Sequence, residues 1–479
     1  MVDPGKIYES LKNSTLRISF IRCLSVILLF VIGAAGCAHY PTNDRLEKYD
    51  PAYGYKGRNM RAPDKSEKIF VSLSFSGGGT RAAAFSYGVL EGLKKTEVTL
   101  DGKKIRLIDE VDAITGVSGG SFTAAYYGLF GDRIFTDFEE KFLKKDIQGK
   151  ITSMVFLNPY NWGKLFSAYY DRSDLLGEYY DKHIFDGATF GDMMKRKGTM
   201  VFINSTDMVH GTRVAFTQDS FDLFCSDLST FSVGRACAAS SAVPIVLSPI
   251  TLRNYAGSCG YKMPESLERA MDIRTLPDRQ FDLANNILPF LDAKKKPYLH
   301  LVDGGVSDNL GLRAMIERIT MLGDAWTTLQ VGGLTEVNKV LIVIVNAETE
   351  IDTKWDRREA IPPFGAMLDS FSSISISRYN IETVALMREL LPKWSDEIRR
   401  GRCAPGKIKT DPGTCGDIEF YVVEVKFDAL RDEGQRSYLK RLPTSFRLES
   451  DEVDKLREAA QKILTESKDF QRFLKDMEK

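Results

Sequence analysis

The sequence is short of several features that would point to a function quickly. Its 479 residues carry no net charge, because 65 Lys and Arg balance 65 Asp and Glu. A chain without a basic excess gives no electrostatic support to nucleic acid as the main partner. Histidine is scarce, with only four (His39, His183, His210 and His300). The seven cysteines show no spacing that suggests zinc, so no metal is expected. The N-terminal apolar run, Cys23 to Ala35, falls short of the roughly 20 residues needed to cross a bilayer. No internal repeat is evident. A nucleotide phosphate loop is excluded too, since neither its Lys-Ser/Thr nor a GxGxxG spacing follows the glycine-rich stretch. No cofactor is expected. What remains is an ordinary globular composition, 43% hydrophobic and 27% charged.

The N-terminus is organised differently. Lys6, Lys12, Arg17 and Arg22 precede the apolar run, and the small residues Gly33–Gly36 close it. A basic region, a short apolar core and a small-residue site describe a secretory signal. Cys37, directly after Ala34, Ala35 and Gly36, resembles the lipobox cysteine at which bacterial lipoproteins are cleaved and acylated. Ala34 stands where that motif usually has Leu. The alternative is an ordinary signal or short anchor in which Cys37 is incidental. By the same resemblance, Ala38 in place of Asp argues against inner-membrane retention. The expectation is a lipid-anchored protein of a bacterial envelope, on the outer membrane facing the periplasm. Residues 1–36 would be the signal and 37–65, rich in Pro, Tyr, Gly and charge, a tether. In an oxidising compartment two disulfides are candidates, Cys403–Cys415 and Cys225–Cys259, leaving Cys237 buried and free.

The informative stretch begins at Lys68. Ile69, Val71, Leu73 and Phe75 are apolar at period two, which predicts a strand. Gly77, Gly78 and Gly79 break it, and Ala82–Leu93 continues at helical spacing. Strand, glycines and helix is an arrangement that turns backbone N–H groups toward an anion. A second such unit is Ala113–Thr115, then Gly116-Val117-Ser118-Gly119-Gly120, then a helix-compatible run to Phe130. This GxSxG, with Gly116, Gly119 and Gly120 around a sharp turn, would expose the Ser118 hydroxyl at the C-terminal edge of a sheet. Further on, Pro297–Asp303 reads as a strand running into Gly304 and Gly305, with an acid at its C-terminal end. Asp308 is a rival acid. Lys339–Asn346 is an unbroken β-branched run, as in a parallel strand buried on both faces. Asp132–Phe190 reads as a helical insertion whose aromatics (Phe156, Tyr160, Trp162, Phe166, Tyr169, Tyr170, Tyr179, Tyr180) are expected to pack inward. A lid or acyl-chain wall is the alternative.

A nucleophilic serine needs a base. None of the histidines stands on a late loop after the acid, so a dyad of Ser118 and Asp303 is favoured over a triad. His210 remains the alternative. The segments SGGGTRAAAFSYGVLEGL, GVSGG and DGG, in this order, resemble the patatin-like phospholipases. RACAASSAVPIVLSPI (Arg235–Ile250) resembles a further block of that family. The resemblance implies a three-layer α/β/α fold, with the catalytic domain at 66–346 and a C-terminal extension at 347–479. It also implies hydrolysis of lipid acyl esters, with Ser118 as nucleophile, Asp303 as proton acceptor and Gly77, Gly78 and Gly79 as oxyanion loop. Arg81 falls on the Arg of the family's glycine motif, where it orders the loop, attracts a phosphate or forms a salt bridge. The motif's last glycine is Ala82 here. The implied partner is a membrane lipid substrate. A non-catalytic envelope scaffold and a histidine-dependent esterase or thioesterase on soluble substrates are the competing readings.

Overall fold

Eight apolar stretches become the strands of one sheet: β1 (Ile69–Phe75), β2 (Val111–Val117), β3 (Met200–Asp207), β4 (Arg213–Ala215), β5 (Ile250–Arg253), β6 (Tyr298–Asp303), β7 (Lys339–Asn346) and β8 (Glu419–Lys426). The computed structural model describes residues 22, 25, 38–100, 102–244, 246–272, 279–350, 353–403 and 416–478. Most of the signal segment, Cys37 and Cys415 therefore lie outside the described residues. The strand order is β8-β7-β1-β2-β3-β6-β5, with β4 beside β3. From β8 to β3 every neighbour is parallel. β6 runs antiparallel to both β3 and β5, and β4 antiparallel to β3. The sheet is thus mainly parallel, with its antiparallel part at one edge.

Period-two side chains feed two cores. Leu341, Val343 and Val345 of β7 belong to the larger one, with residues of α1 (Gly79–Lys95), α2 (Gly119–Phe130) and α7 (Ser450–Glu466). Val340, Ile342 and Ile344 point the other way, into a core completed by α5 (Arg313–Leu322) and α6 (Phe364–Arg402). Helices on both faces of a sheet make a three-layer α/β/α architecture. Each fully buried aliphatic side chain contributes about 1.5–3 kcal/mol relative to exposure, which is why an uninterrupted apolar run settles at the centre of such a sheet.

The C-terminal extension is part of this body. β8 pairs with β7 along its whole length, and α7 lies so close on α1 that a Cβ at Gly88 would stand 2.4 Å from the Arg457 carbonyl oxygen. The stretch expected to be a tether also lies against the domain. Asp44–Arg45 pairs with Ser226–Asp227, Tyr55 is fully buried and donates to the Val201 carbonyl, and Lys56 forms a buried ion pair with Asp222 at 2.7 Å. Cys225 is joined to Cys259, and Cys237 is a buried free thiol. Cys403 is disulfide-bonded.

The aromatic insertion divides in two. Tyr170, Tyr179 and Tyr180 are buried, in α3 (Arg172–His183) and just before it. Phe156, Tyr160, Trp162, Phe166 and Tyr169 are exposed, against the expectation that the whole stripe packs inward. The physical reason is that, among the described residues, no second layer covers the turns of Ser153–Leu157 and Pro159–Leu165. Helical spacing puts rings on one side but does not supply what would bury them.

Candidate active site

The two strand–glycine–helix units stand side by side, because β1 and β2 are neighbouring parallel strands. Both chains turn at the same sheet edge. At the end of β2, Ser118 adopts φ 48° and ψ −122°, a backbone conformation rarely adopted by residues other than glycine. The turn is held from two sides. The Ser118 N–H donates to Ser240 Oγ at 2.9 Å, and Ser240 in turn donates to the Asn204 carbonyl at 2.6 Å. Ser121 Oγ donates to the Ser118 carbonyl at 2.6 Å. Ser240 ends α4 (Val233–Ser240), inside the block Arg235–Ile250.

The glycines beside Ser118 serve close approach as much as turning. A Cβ at Gly119 would stand 1.9 Å from the Gly79 carbonyl oxygen, and one at Gly120 2.6 Å from that of Ser76. Two backbones meet there with no room for a methyl group. Gly77 lies over the serine, its notional Cβ 3.3 Å from Ser118 Cβ. Its N–H, however, donates to the Asn309 carbonyl at 2.9 Å. Of the three glycines expected to offer donors, Gly78 (φ 136°) and Gly79 (φ 59°) are the ones whose N–H groups meet no protein acceptor among the described residues.

Asp303 closes the arrangement from β6. Its backbone is fixed, the N–H donating to the Ala242 carbonyl at 2.9 Å and the carbonyl accepting from Thr206 Oγ1 at 3.0 Å. Its Oδ1 accepts the Gly305 N–H at 2.7 Å. Burial pushes the Asp303 carboxyl up to about 6, while hydrogen bonds from Gly305 and the Ser118 hydroxyl hold it down. Gly304 is tight for the same reason as Gly119, since its Cβ would stand 2.3 Å from the Asn204 carbonyl oxygen. Asp308, the rival acid, is also buried, and burial raises its pKa to about 6. Its Oδ2 accepts from the Arg313 N–H, and the charges it feels most are Arg213 and Glu317. Neither Ser118 nor Asp303 is among these partners.

The remaining expected residues resolve as follows. Arg81 is buried and meets neither a carboxylate nor open solvent; it donates to the carbonyls of Ala347 and Leu442 and to Thr444 Oγ1. It ties the start of α1 to the backbone at Ala347 and Leu442 and to Thr444. Each histidine is engaged elsewhere: His39 stacks on Tyr169, His183 packs on Tyr179, His210 bonds Asp207 and Lys296, and His300 bonds Thr251. Sequence reasoning missed Ser240 and Asn309. Asn309 takes the Gly77 N–H, and its Oδ1 lies between the glycine loop and Gly305. Its place just after Asp303-Gly304-Gly305 was the one available signal. A separate cavity of about 470 Å³ opens on the sheet face toward α5 and α6, lined by Phe70, Phe202, Met315, Trp394 and Asp112 among others. Ser118, Asp303 and the glycine loop take no part in it.

A hydroxyl on a strained turn, a carboxyl against it that holds its proton more tightly than usual, and two free N–H groups can together support attack on a carbonyl carbon. The sequence profile described as patatin-like phospholipase matches residues 73–316, just over half of the chain. No curated protein matches the sequence. Among solved structures, human GIVD cytosolic phospholipase A2 aligns with 86% of this chain and 62% of its own length, at 12% identity and a TM-score of 0.43. The chain thus spans less than two thirds of that protein.

Proposed function

Because the chain belongs to the patatin-like phospholipase family, whose activity is hydrolysis of lipids, we propose that it cleaves carboxylic ester bonds of phospholipids or related lipids through Ser118 and Asp303. Ser118 Oγ forms a bond to the ester carbonyl carbon while its proton passes to Asp303. The oxyanion is held by the N–H groups of Gly78 and Gly79. The ester C–O bond then breaks, and the leaving alcohol takes the proton from Asp303. Water attacks the acyl-enzyme, giving its proton to Asp303, and the fatty acid departs as the proton returns to Ser118 Oγ. Losing one oxyanion donor costs about 2.7–4 kcal/mol of transition-state stabilisation.

The observation that carries this reading is the Asp303 carboxyl, buried beside the Ser118 hydroxyl and raised to about 6, with every histidine occupied elsewhere. A carboxylate becomes a competent base when its pKa approaches working pH. The test is labelling by a fluorophosphonate, with folding of each variant checked by circular dichroism. Wild type should label at Ser118, Ser118→Ala not at all, and Asp303→Asn far more slowly. A large loss in a folded His183, His210 or His300 variant would sink the dyad.

The same proposal attaches the enzyme to a bacterial envelope membrane through a lipid on Cys37. Its support is the basic, apolar and small-residue order before that cysteine. Mass spectrometry of the membrane-extracted protein should find an acylated Cys37 at the N-terminus. A mature chain beginning elsewhere removes this part.

A further inference from the structure

Six large apolar side chains are exposed within a short segment: Phe156 (65%), Leu157, Tyr160 (77%), Trp162, Phe166 (67%) and Tyr169. The segment is ordered by its own bonds. Asn161 Nδ2 donates to the Met154 carbonyl, Trp162 Nε1 to that of Val155, and the Asn158 side chain accepts the Tyr160 N–H. Met154 and Ile151 pack on the core. One side of the segment is therefore fixed to the domain, and the other presents rings to solvent. Contiguous exposed apolar surface of this kind marks a place where something binds.

Three further observations say what. First, the chain reaches the described domain at this spot. The Ala38 carbonyl accepts from Ser167 Oγ at 2.6 Å, the Tyr40 N–H donates to the Tyr169 carbonyl, and the His39 ring stacks on Tyr169. Cys37 directly precedes Ala38, so the proposed acyl group is one residue along the chain from these contacts. Second, Lys150, three residues before Ser153, and Lys182 are exposed and Lys145 is half-buried; with its burial, the charges of these three lysines disfavour charging of His183, and none of the three joins an ion pair among the described residues. Lysines without an ion pair, near in the chain to a segment of exposed aromatic rings, suit an anionic headgroup layer over an acyl layer. Third, a short series of contacts joins the segment to the surroundings of Asp303. Ser173, at the start of α3, bonds the Ser248 backbone and hydroxyl. The loop before Ser248 carries exposed Val243 and Val246, and the adjoining Ala242 carbonyl holds the Asp303 N–H.

We infer that the segment Ser153–Tyr169, with the neighbouring lysines, is an interfacial surface that lies in the headgroup region of an anionic phospholipid bilayer. It sets the mouth at Ser118 and Asp303 against the membrane to which Cys37 is tied. The inference rests on the reading of the chain as a membrane-bound lipid hydrolase, and its test separates the two. Full-length protein is reconstituted into phosphatidylethanolamine–phosphatidylglycerol vesicles containing brominated acyl chains. Tryptophan emission should be quenched, and Trp162→Phe should abolish most of that quenching, leaving the other tryptophans little affected. Phe156→Ser/Tyr160→Ser/Phe166→Ser should lower vesicle hydrolysis roughly ten-fold while leaving turnover of a soluble short-chain ester within about two-fold. Quenching that is the same with and without Trp162 overturns the inference. So does a dimer that the triple variant dissolves without any change in lipid contact, which would assign the surface to a second copy. If no variant hydrolyses any ester, the proposed chemistry falls, and the quenching still decides the surface.

Discussion

In the proposed dyad Asp303 must be ionised to take the Ser118 proton, and its burial opposes that ionisation. With the carboxyl raised to about 6, kcat/KM should be flat above pH 7 and fall about ten-fold per unit below pH 6, as one proton blocks the base. A profile flat to pH 4.5 would remove Asp303 from that role. The same shift bears on stability with the opposite sign to activity. A carboxyl whose folded pKa lies above its unfolded value binds more protons in the folded state between pH 4 and 6, so stability falls as pH rises through that window. Asp303→Asn should therefore lose about 10²- to 10⁴-fold in turnover yet be more stable than wild type at pH 8, by on the order of 2 kcal/mol. Denaturant midpoints at pH 8 and pH 4 check this, and the difference should close at the lower pH. Ser118 and Asp303 were legible because each sits in a short motif at a strand end. Ser240 and Asn309 were not, since what they hold is backbone brought close from far along the chain. Arg81 was legible as a position but not as a contact: its partners are carbonyls at 347 and 442, which no local pattern announces.

Among the elements, the joined turns of β1–α1 and β2–α2 are the least forgiving. Gly119→Ala would drive a methyl group into the Gly79 carbonyl, 1.9 Å away. Backbone cannot yield there without moving both turns, so a loss of about 3 kcal/mol or more is expected, together with loss of fluorophosphonate labelling. A stable, labelled Gly119→Ala would show that the two loops are not in contact. The strands were legible where burial on both faces leaves nothing but apolar residues, as in Lys339–Asn346, whose bounds the sequence pattern matches. They were less so where a strand is short, as in Arg213–Ala215. The exposed rings of Ser153–Tyr169 were misjudged because periodicity reports which side of a helix is apolar and says nothing of the layer opposite. Residues 38–65 lie against the domain for a reason that composition does not report. A polar, proline- and tyrosine-containing stretch can still be bound down by a few deep anchors such as Tyr55 and Lys56.

The molecule as a whole depends on its last hundred residues. β8 extends the parallel sheet, and α7 covers α1, so a chain ending at residue 446 would bare a helix of which Ala82, Phe85, Val89 and Leu93 are completely buried. Such a truncation should be recovered mainly as aggregate and should not label with fluorophosphonate. A soluble, labelled product would show that α7 and the residues after it are dispensable. The glycine loop leans on the same region: the Thr80 N–H donates to the Ser445 carbonyl, and Arg81 reaches Leu442 and Thr444. Hydrolytic competence is thereby tied to the order of synthesis. A nascent chain displays its serine early but receives the props of its glycine loop only when nearly all of it has left the ribosome. On the proposed chemistry, a half-made chain would lack the supported loop that hydrolysis needs.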